Sequence, residues 1–232
     1  MGTYVLVHGA TAGGWIWQSV PNLLRAAGHD VYTPTLTGLG ERRHLFNLNI
    51  TMDTHILDVE NVILFEDLHQ VILVGHSYGG AVITGVAERA ADRLCHLVFL
   101  DAFVPEDGRA IKDLYDPTVA QTLSEHYGNG GVSFPANGAE ASDPRFTEHP
   151  LKTFLHPFRL INASARALLR TYIFCTDKEE MGIRGQGIIR SAGRAKAEGW
   201  PYHELPTGHH PMWTMPAELT ELLLKIPSGG HR

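Results

Sequence analysis

Apolar positions along this chain fall into short dense runs, separated by stretches in which they recur every three or four residues. The runs at residues 4–7, 30–36, 71–74, 97–100, 171–175 and 202–205 are rich in Val, Ile, Leu, Tyr and Phe and read as strands. Helical spacing fills the gaps. Residues 17–27 form one such stretch, with Gly28 just past its end. Residues 53–66 form another, with Ile56, Val59, Ile63 and Leu64 on one face. Residues 80–87 are small and apolar, and a last helix opens at Met215 or Pro216 and ends near Lys225. Strands this apolar, joined by helical crossovers, predict a six-stranded, mostly parallel sheet with helices on both faces. The class is α/β. The tail, residues 227–232, is expected to be mobile.

One segment breaks the rhythm. Residues 105–163 show no clean alternation and carry Gly128-Asn129-Gly130-Gly131, several prolines and scattered aromatics. They are expected to form a small cap inserted after the fourth strand, over a core made of residues 1–104 and 164–232. Structureless connections that long are uncommon in compact domains unless they serve a function. No internal repeat is present. Gly38-Leu39-Gly40 lacks the third glycine of a dinucleotide fingerprint.

Charge narrows the choice of partners. The formal net charge is -6 and no basic cluster offsets it, which argues against nucleic acid and anionic membranes. No apolar run approaches the roughly 20 residues of a membrane span. Met1-Gly2-Thr3 runs at once into Tyr4-Val5-Leu6-Val7, which lacks the basic flank and length of a secretory leader. Cys95 and Cys175 are too few for a disulfide framework and read as buried thiols. A cytoplasmic setting is expected. The oligomeric state is left open.

The chemistry centres on Gly75-His76-Ser77-Tyr78-Gly79, between the apolar run Val71-Ile72-Leu73-Val74 and the small-residue helix. Strand, G-x-S-x-G and helix together make a nucleophile elbow, in which a strained turn presents a serine hydroxyl above the sheet. Acyl transfer by that serine needs a base, a group that orients the base, and donors for the oxyanion. The base is expected late in the chain, where Gly208-His209-His210-Pro211 follows the last strand. His209 is preferred to His210. The orienting acid is expected after the fifth strand, where Asp177 is the first acid. Asp101, which ends the fourth strand, is its rival, and Glu179 and Glu180 are weaker choices. The oxyanion donors are the backbone N–H of Tyr78 and one from the glycine-rich loop after the first strand, for which Ala10 is chosen. No spacing such as H-E-x-x-H suggests a metal.

With these pieces in place the chain resembles the α/β-hydrolases. Val5-Leu6-Val7-His8-Gly9-Ala10 followed by Gly13-Gly14-Trp15 is similar to one branch, that of plant methylesterases, hydroxynitrile lyases and related bacterial carboxylesterases. Ala26-Ala27-Gly28-His29, the stretch 74–80 and Tyr172-Ile173-Phe174-Cys175-Thr176-Asp177 match it too. The resemblance implies an α/β-hydrolase fold, a Ser77, Asp177 and His209 triad, oxyanion donors at Ala10 and Tyr78, and neither metal nor organic cofactor. In that branch the catalytic histidine stands seven residues before the proline opening the last helix, as His209 stands before Pro216. The implied function is a serine carboxylesterase acting on small apolar or aryl esters. Phe134, Phe146, Phe154, Phe158 and Met212 or Trp213 would line the pocket. Two other functions compete: a carbon–carbon lyase cleaving cyanohydrins, and a catalytically idle ligand-binding protein. The lyases of the branch carry lysine directly after the catalytic histidine, where this chain has His210. The segment 105–163 contains no tryptophan, so the plant substrate preferences do not carry over.

Overall fold

The computed structural model describes residues 1–128, 133–134 and 142–227. Six strands form one sheet: β1 (Thr3–Val7), β2 (Asp30–Tyr32), β3 (Val71–His76), β4 (Leu94–Leu100), β5 (Leu169–Cys175) and β6 (Tyr202–Leu205). Their order is β2-β1-β3-β4-β5-β6, and every pairing is parallel. This is the sheet that the apolar runs predict. The longer helices among the described residues are α1 (Val20–Ala26), α2 (Met52–Phe65), α3 (Gly79–Ala90), α4 (Pro117–Gly128), α5 (Gly185–Ala197) and α6 (Pro216–Leu224).

Alternation along each strand splits the core in two, because successive side chains leave opposite faces of the sheet. Val5, Val7, Val71 and Leu73 face one way, onto Ile56 and Val59 of α2, Val82 and Val86 of α3, and Ile188 of α5. Tyr4, Leu6, Ile72 and Val74 face the other way, onto Val20 and Leu24 of α1 and Leu219 and Leu223 of α6. Each fully buried aliphatic side chain contributes about 1.5–3 kcal/mol of burial. The sheet is therefore the rigid platform on which the loops rest.

Two elements are shorter than their apolar runs suggest. The helix predicted over 17–27 is a 3-10 turn at Gly14–Trp17 followed by α1. Pro21 has no N–H to donate, so it opens a helix and does not sit inside one. The strand predicted over 30–36 ends at Tyr32. Past Pro34 the backbone donors turn to side chains: Leu36 N–H donates to His8 Nε2 at 3.0 Å and Thr37 N–H to Asp58 Oδ2 at 2.6 Å.

Within 105–163 the described residues form a 3-10 turn at Ile111–Leu114, then α4, and a two-residue antiparallel pairing of Ser133–Phe134 with His149–Pro150. Phe154 and Phe158 are buried in the main core. The tail from residue 228 onward lies outside the described residues.

Register brings the functional loops together. Val7 pairs with Gly75, His76 with Leu100, Leu100 with Ile173, and Cys175 with Leu205. The strands thus end side by side at one edge, where ligands of open parallel sheets bind. The residues that follow these ends are His8, Ser77, Asp101, Thr176 and Pro206.

Candidate active site

Ser77 joins β3 to α3 with φ 54°, a left-handed conformation that costs a non-glycine residue about 1–3 kcal/mol. The turn persists because its neighbours fix it. Ser77 N–H donates to Leu100 O at 3.1 Å, and Ser77 O accepts from Gly80 and Phe103 N–H, both at 3.1 Å. No side chain fits beneath it: a Cβ on Gly75 would lie 2.5 Å from Gly79 O, and one on Gly79 2.6 Å from Val7 O. The elbow that G-x-S-x-G predicts is therefore present. The Ser77 hydroxyl makes no hydrogen bond among the described residues.

The loop after β1 passes beside it. A Cβ on Gly9 would sit 3.1 Å from the Cβ of Ser77. The N–H groups of Ala10 and Tyr78 donate to no acceptor among the described residues. Both N–H groups chosen from the sequence are thus unspent.

Three buried histidines hold this arrangement. His8 Nε2 accepts from Leu36 N–H, so Nδ1–H donates to Gly9 O at 2.7 Å. His149 Nδ1 accepts from Thr11 N–H at 3.2 Å, and its Nε2–H donates to Thr153 Oγ1 at 2.9 Å. His55 Nε2–H donates to Thr37 O at 2.9 Å, and its Nδ1 accepts from the Tyr78 hydroxyl at 2.8 Å. Each ring is one donor and one acceptor, which only the neutral form provides. Burial pushes His8 and His55 down to about 4 and His149 well below its ordinary value. The loop after β1 and the Tyr78 side chain are held by uncharged groups on three different segments.

His209 lies on the loop after β6. Its Nδ1–H donates to Asp101 Oδ2 at 2.6 Å. Asp101 directly follows β4, is fully buried, and has φ 45°. Its own N–H donates to Ile173 O at 2.7 Å. The second carboxylate oxygen, Oδ1, accepts from Cys175 N–H at 3.1 Å and from Lys178 Nζ at 2.5 Å. Burial raises the Asp101 carboxyl, but the His209 hydrogen bond and charge and the Lys178 ammonium outweigh it and hold the group below the usual range.

The structure does not bring Asp177, the acid chosen from the sequence, to His209. The ladder between β5 and β6 continues past the strand ends, through Thr176 N–H to Leu205 O at 2.9 Å and Asp177 N–H to Thr207 O at 3.1 Å. That register leaves Asp177 exposed, where its carboxylate accepts from Glu179 N–H at 3.2 Å. Lys178 is the residue that turns inward. Asp101, the rival at the neighbouring strand end, meets the imidazole. Glu179 is exposed, and the Glu180 side chain lies outside the described ones.

Two residues at the site went unread in the sequence, Lys178 and His76. His76 Nε2–H donates to His209 O at 2.7 Å, and the two ring centroids are 4.5 Å apart. His76 is buried and held neutral by that burial. It fixes the main chain of the base loop against β3. His210 does not reach Asp101; it stacks on Trp213 at 4.9 Å. Trp15, Phe146 and Trp213 form one aromatic group with it, and Arg145 lies 4.1 Å above the Trp15 ring. Of the expected pocket residues, Phe146 and Trp213 are therefore beside the base loop, and Met212 is fully buried. Phe154 stacks on Tyr78 at 5.5 Å as core, as Phe158 is core, while the Phe134 side chain lies outside the described ones. Among the described residues no group of three His, Cys, Asp or Glu is placed to hold a metal ion. No helix among them is long and apolar enough to cross a membrane.

Comparison with known proteins gives a consistent setting for this geometry. Residues 4–222 match the profile described as the alpha/beta hydrolase family. A carbendazim hydrolyzing esterase of Nocardioides sp. (strain SG-4G) is 37% identical, over 97% of this chain and 100% of its own length. Methylesterase 1 of Arabidopsis thaliana is 25% identical, over 96% of this chain and 95% of its own. Among solved structures, an extracellular alpha/beta-hydrolase from a Paenibacillus species superposes with a TM-score of 0.77 at 24% identity, over the whole of both chains.

Proposed function

We propose that this chain, which belongs to the alpha/beta hydrolase family, is a serine carboxylesterase with Ser77 as nucleophile, His209 as base and Asp101 as the group that orients the base. One observation carries the reading: a strained serine at a strand–helix elbow directly follows His76, which holds the main chain of His209, and the Nδ1–H of that same His209 is held by a buried carboxylate. With Nδ1–H committed to Asp101, His209 Nε2 is the free acceptor. It takes the Ser77 proton as Oγ attacks the ester carbonyl. The oxyanion that forms accepts from the N–H groups of Ala10 and Tyr78, at the N-terminus of α3. Collapse breaks the bond to the alcohol, which leaves with the proton from Nε2. Water then attacks the acyl-enzyme, with the same imidazole as base, and releases the acid.

These side chains handle every proton in the cycle, so chelators are expected to leave turnover unchanged. The aromatic group of Trp15, Phe146 and Trp213 suits small esters with an apolar or aryl part. The esterase relatives support the same class. Residues 105–163 act as a cap on the core of 1–104 and 164–232, anchored through Phe154 and Phe158. The substrate is a small molecule and not a nucleic acid, in keeping with the net charge of -6. The two free thiols fit a reducing, cytoplasmic setting.

The test is turnover of p-nitrophenyl esters of graded chain length beside aryl methyl esters. Ser77→Ala should fold normally and lose on the order of 10⁴ in kcat. Near-normal ester turnover by that variant would remove the serine mechanism. Aldehyde release from a cyanohydrin without ester turnover would replace hydrolysis by lyase chemistry.

A further inference from the structure

Lys178 is the one described cation in contact with the proposed catalytic carboxylate. Its ammonium donates to Asp101 Oδ1 while His209 donates to Oδ2 of the same group. The contact is built, not incidental. The Lys178 side chain is 14% exposed, and Nζ also lies 4.4 Å from the centre of the Phe174 ring. Phe174 is on β5, so the lysine is braced by the strand that precedes it. Cys175 N–H completes the set of donors to Oδ1. An exposed lysine in this position would gain little from such a pair, because solvent screens it. A carboxylate with no exposure changes that balance.

We propose that Lys178 is a positioning residue that sets the base strength of His209 through Asp101. This rests on the triad reading given above. During catalysis the imidazole becomes a cation beside a carboxylate that already carries a second cation on its other oxygen. Lys178 therefore opposes the imidazolium and keeps the base unprotonated to lower pH. It also holds Asp101 in the rotamer that presents Oδ2 to the base.

The other titratable groups at this place do not substitute for it. From β3, His76 is held neutral by burial. From β5, burial raises the Cys175 thiol and the Tyr172 phenol well above neutrality. From β6, burial raises Tyr202. From the base loop itself, His210 stacks on Trp213 and not on the carboxylate. Asp177 and Glu179, which flank Lys178 in sequence, are exposed. Among the described residues, Asp101 and Lys178 are the full charges in contact with one another beneath His209.

The experiment is the pH dependence of kcat/KM with p-nitrophenyl acetate for the wild type, Lys178→Met and Lys178→Arg. Circular dichroism at each pH confines the profile to folded protein. Removing the cation lets the imidazolium form more readily, so the acid limb of Lys178→Met should move up by about one pH unit. Lys178→Arg keeps the charge and should keep the wild-type limb. Lys178→Gln keeps a donor without the charge; it should shift like the methionine variant, and serves if that one fails to fold. An unmoved or lowered limb in folded Met and Gln variants would overturn the proposal. Ser77→Ala and Asp101→Asn run beside them separate the two levels. If both are inactive while the limb stays put, only the role of Lys178 fails. If either keeps wild-type turnover, the triad itself fails.

Discussion

Asp101→Asn is expected to lose on the order of 10⁴ in kcat, while Asp177→Asn stays within about twofold of the wild type. The reason lies in the tautomer. A carboxylate at 101 can only accept, so it draws the proton of His209 to Nδ1 and leaves Nε2 bare for Ser77. An asparagine there can turn its NH₂ to Nδ1, which places the ring proton on Nε2 and stops it acting as base. Asp177 makes no such contact; its carboxylate accepts from Glu179 N–H at an exposed turn. Because Asp101→Asn also strips Lys178 of its counter-charge, the double variant with Lys178→Met is the control for folding. It should restore the thermal midpoint without restoring turnover. An inactive Asp177→Asn beside an active Asp101→Asn would reverse the assignment.

Acid is expected to unfold this protein between about pH 6 and about pH 4, with uptake of several protons. Burial lowers His8, His55 and His96 to about 4, and holds His76 and His149 well below their ordinary value. In the unfolded chain each titrates at about 6.5. Above that value both states are neutral and stability is complete. As pH falls below it the unfolded chain binds protons that the folded chain refuses, so stability drops steadily until the folded values are reached. A shift of this size amounts to about 3 kcal/mol per histidine. One such shift is already a large share of the whole stability of a domain, about 5–15 kcal/mol. His96→Gln isolates the effect. His96 pairs with Thr171 Oγ1 at 2.9 Å, near the opposite ends of β4 and β5 from the proposed triad. Glutamine can keep a polar contact there without titrating, so the midpoint should move to lower pH while ester turnover at neutral pH is unchanged. Tryptophan fluorescence and circular dichroism followed from neutrality downward measure both. A native signal that persists unchanged to pH 4 would contradict the neutral-histidine account of the loop.

Much of this was legible in the residues. The six strands, their mostly parallel pairing and the elbow at Ser77 follow from apolar runs and a glycine pattern, which are local signals. The proposed base, His209, was chosen for a similar reason, its place after the last strand and before Pro216. The acid was not. Asp101 and Asp177 each follow a sheet strand at the same edge, and a one-dimensional pattern cannot say which lies under the base loop. The deciding fact is that the β5–β6 ladder runs on to Thr207 and turns Asp177 out. Lys178 and His76 were illegible because their meaning depends on partners 77 and 133 residues away. The histidines that hold the loop after β1 and the Tyr78 side chain come from positions 8, 55 and 149, and nothing in their spacing announces that they meet. Among the described residues of 105–163, Phe154 and Phe158 enter the core singly and the helix α4 buries no residue, so no apolar periodicity marks them.

A fluorophosphonate reacts with a serine only when a neighbouring base accepts its proton, so it reports on nucleophile and base together. Purified protein treated with the probe should gain the mass of one phosphonyl group per chain, and peptide mapping should place it on Ser77. Ser77→Ala should take up none, and His209→Ala should label far more slowly. A chain that stays unlabelled, or an adduct on another residue that persists in Ser77→Ala, would contradict the Ser77 and His209 mechanism.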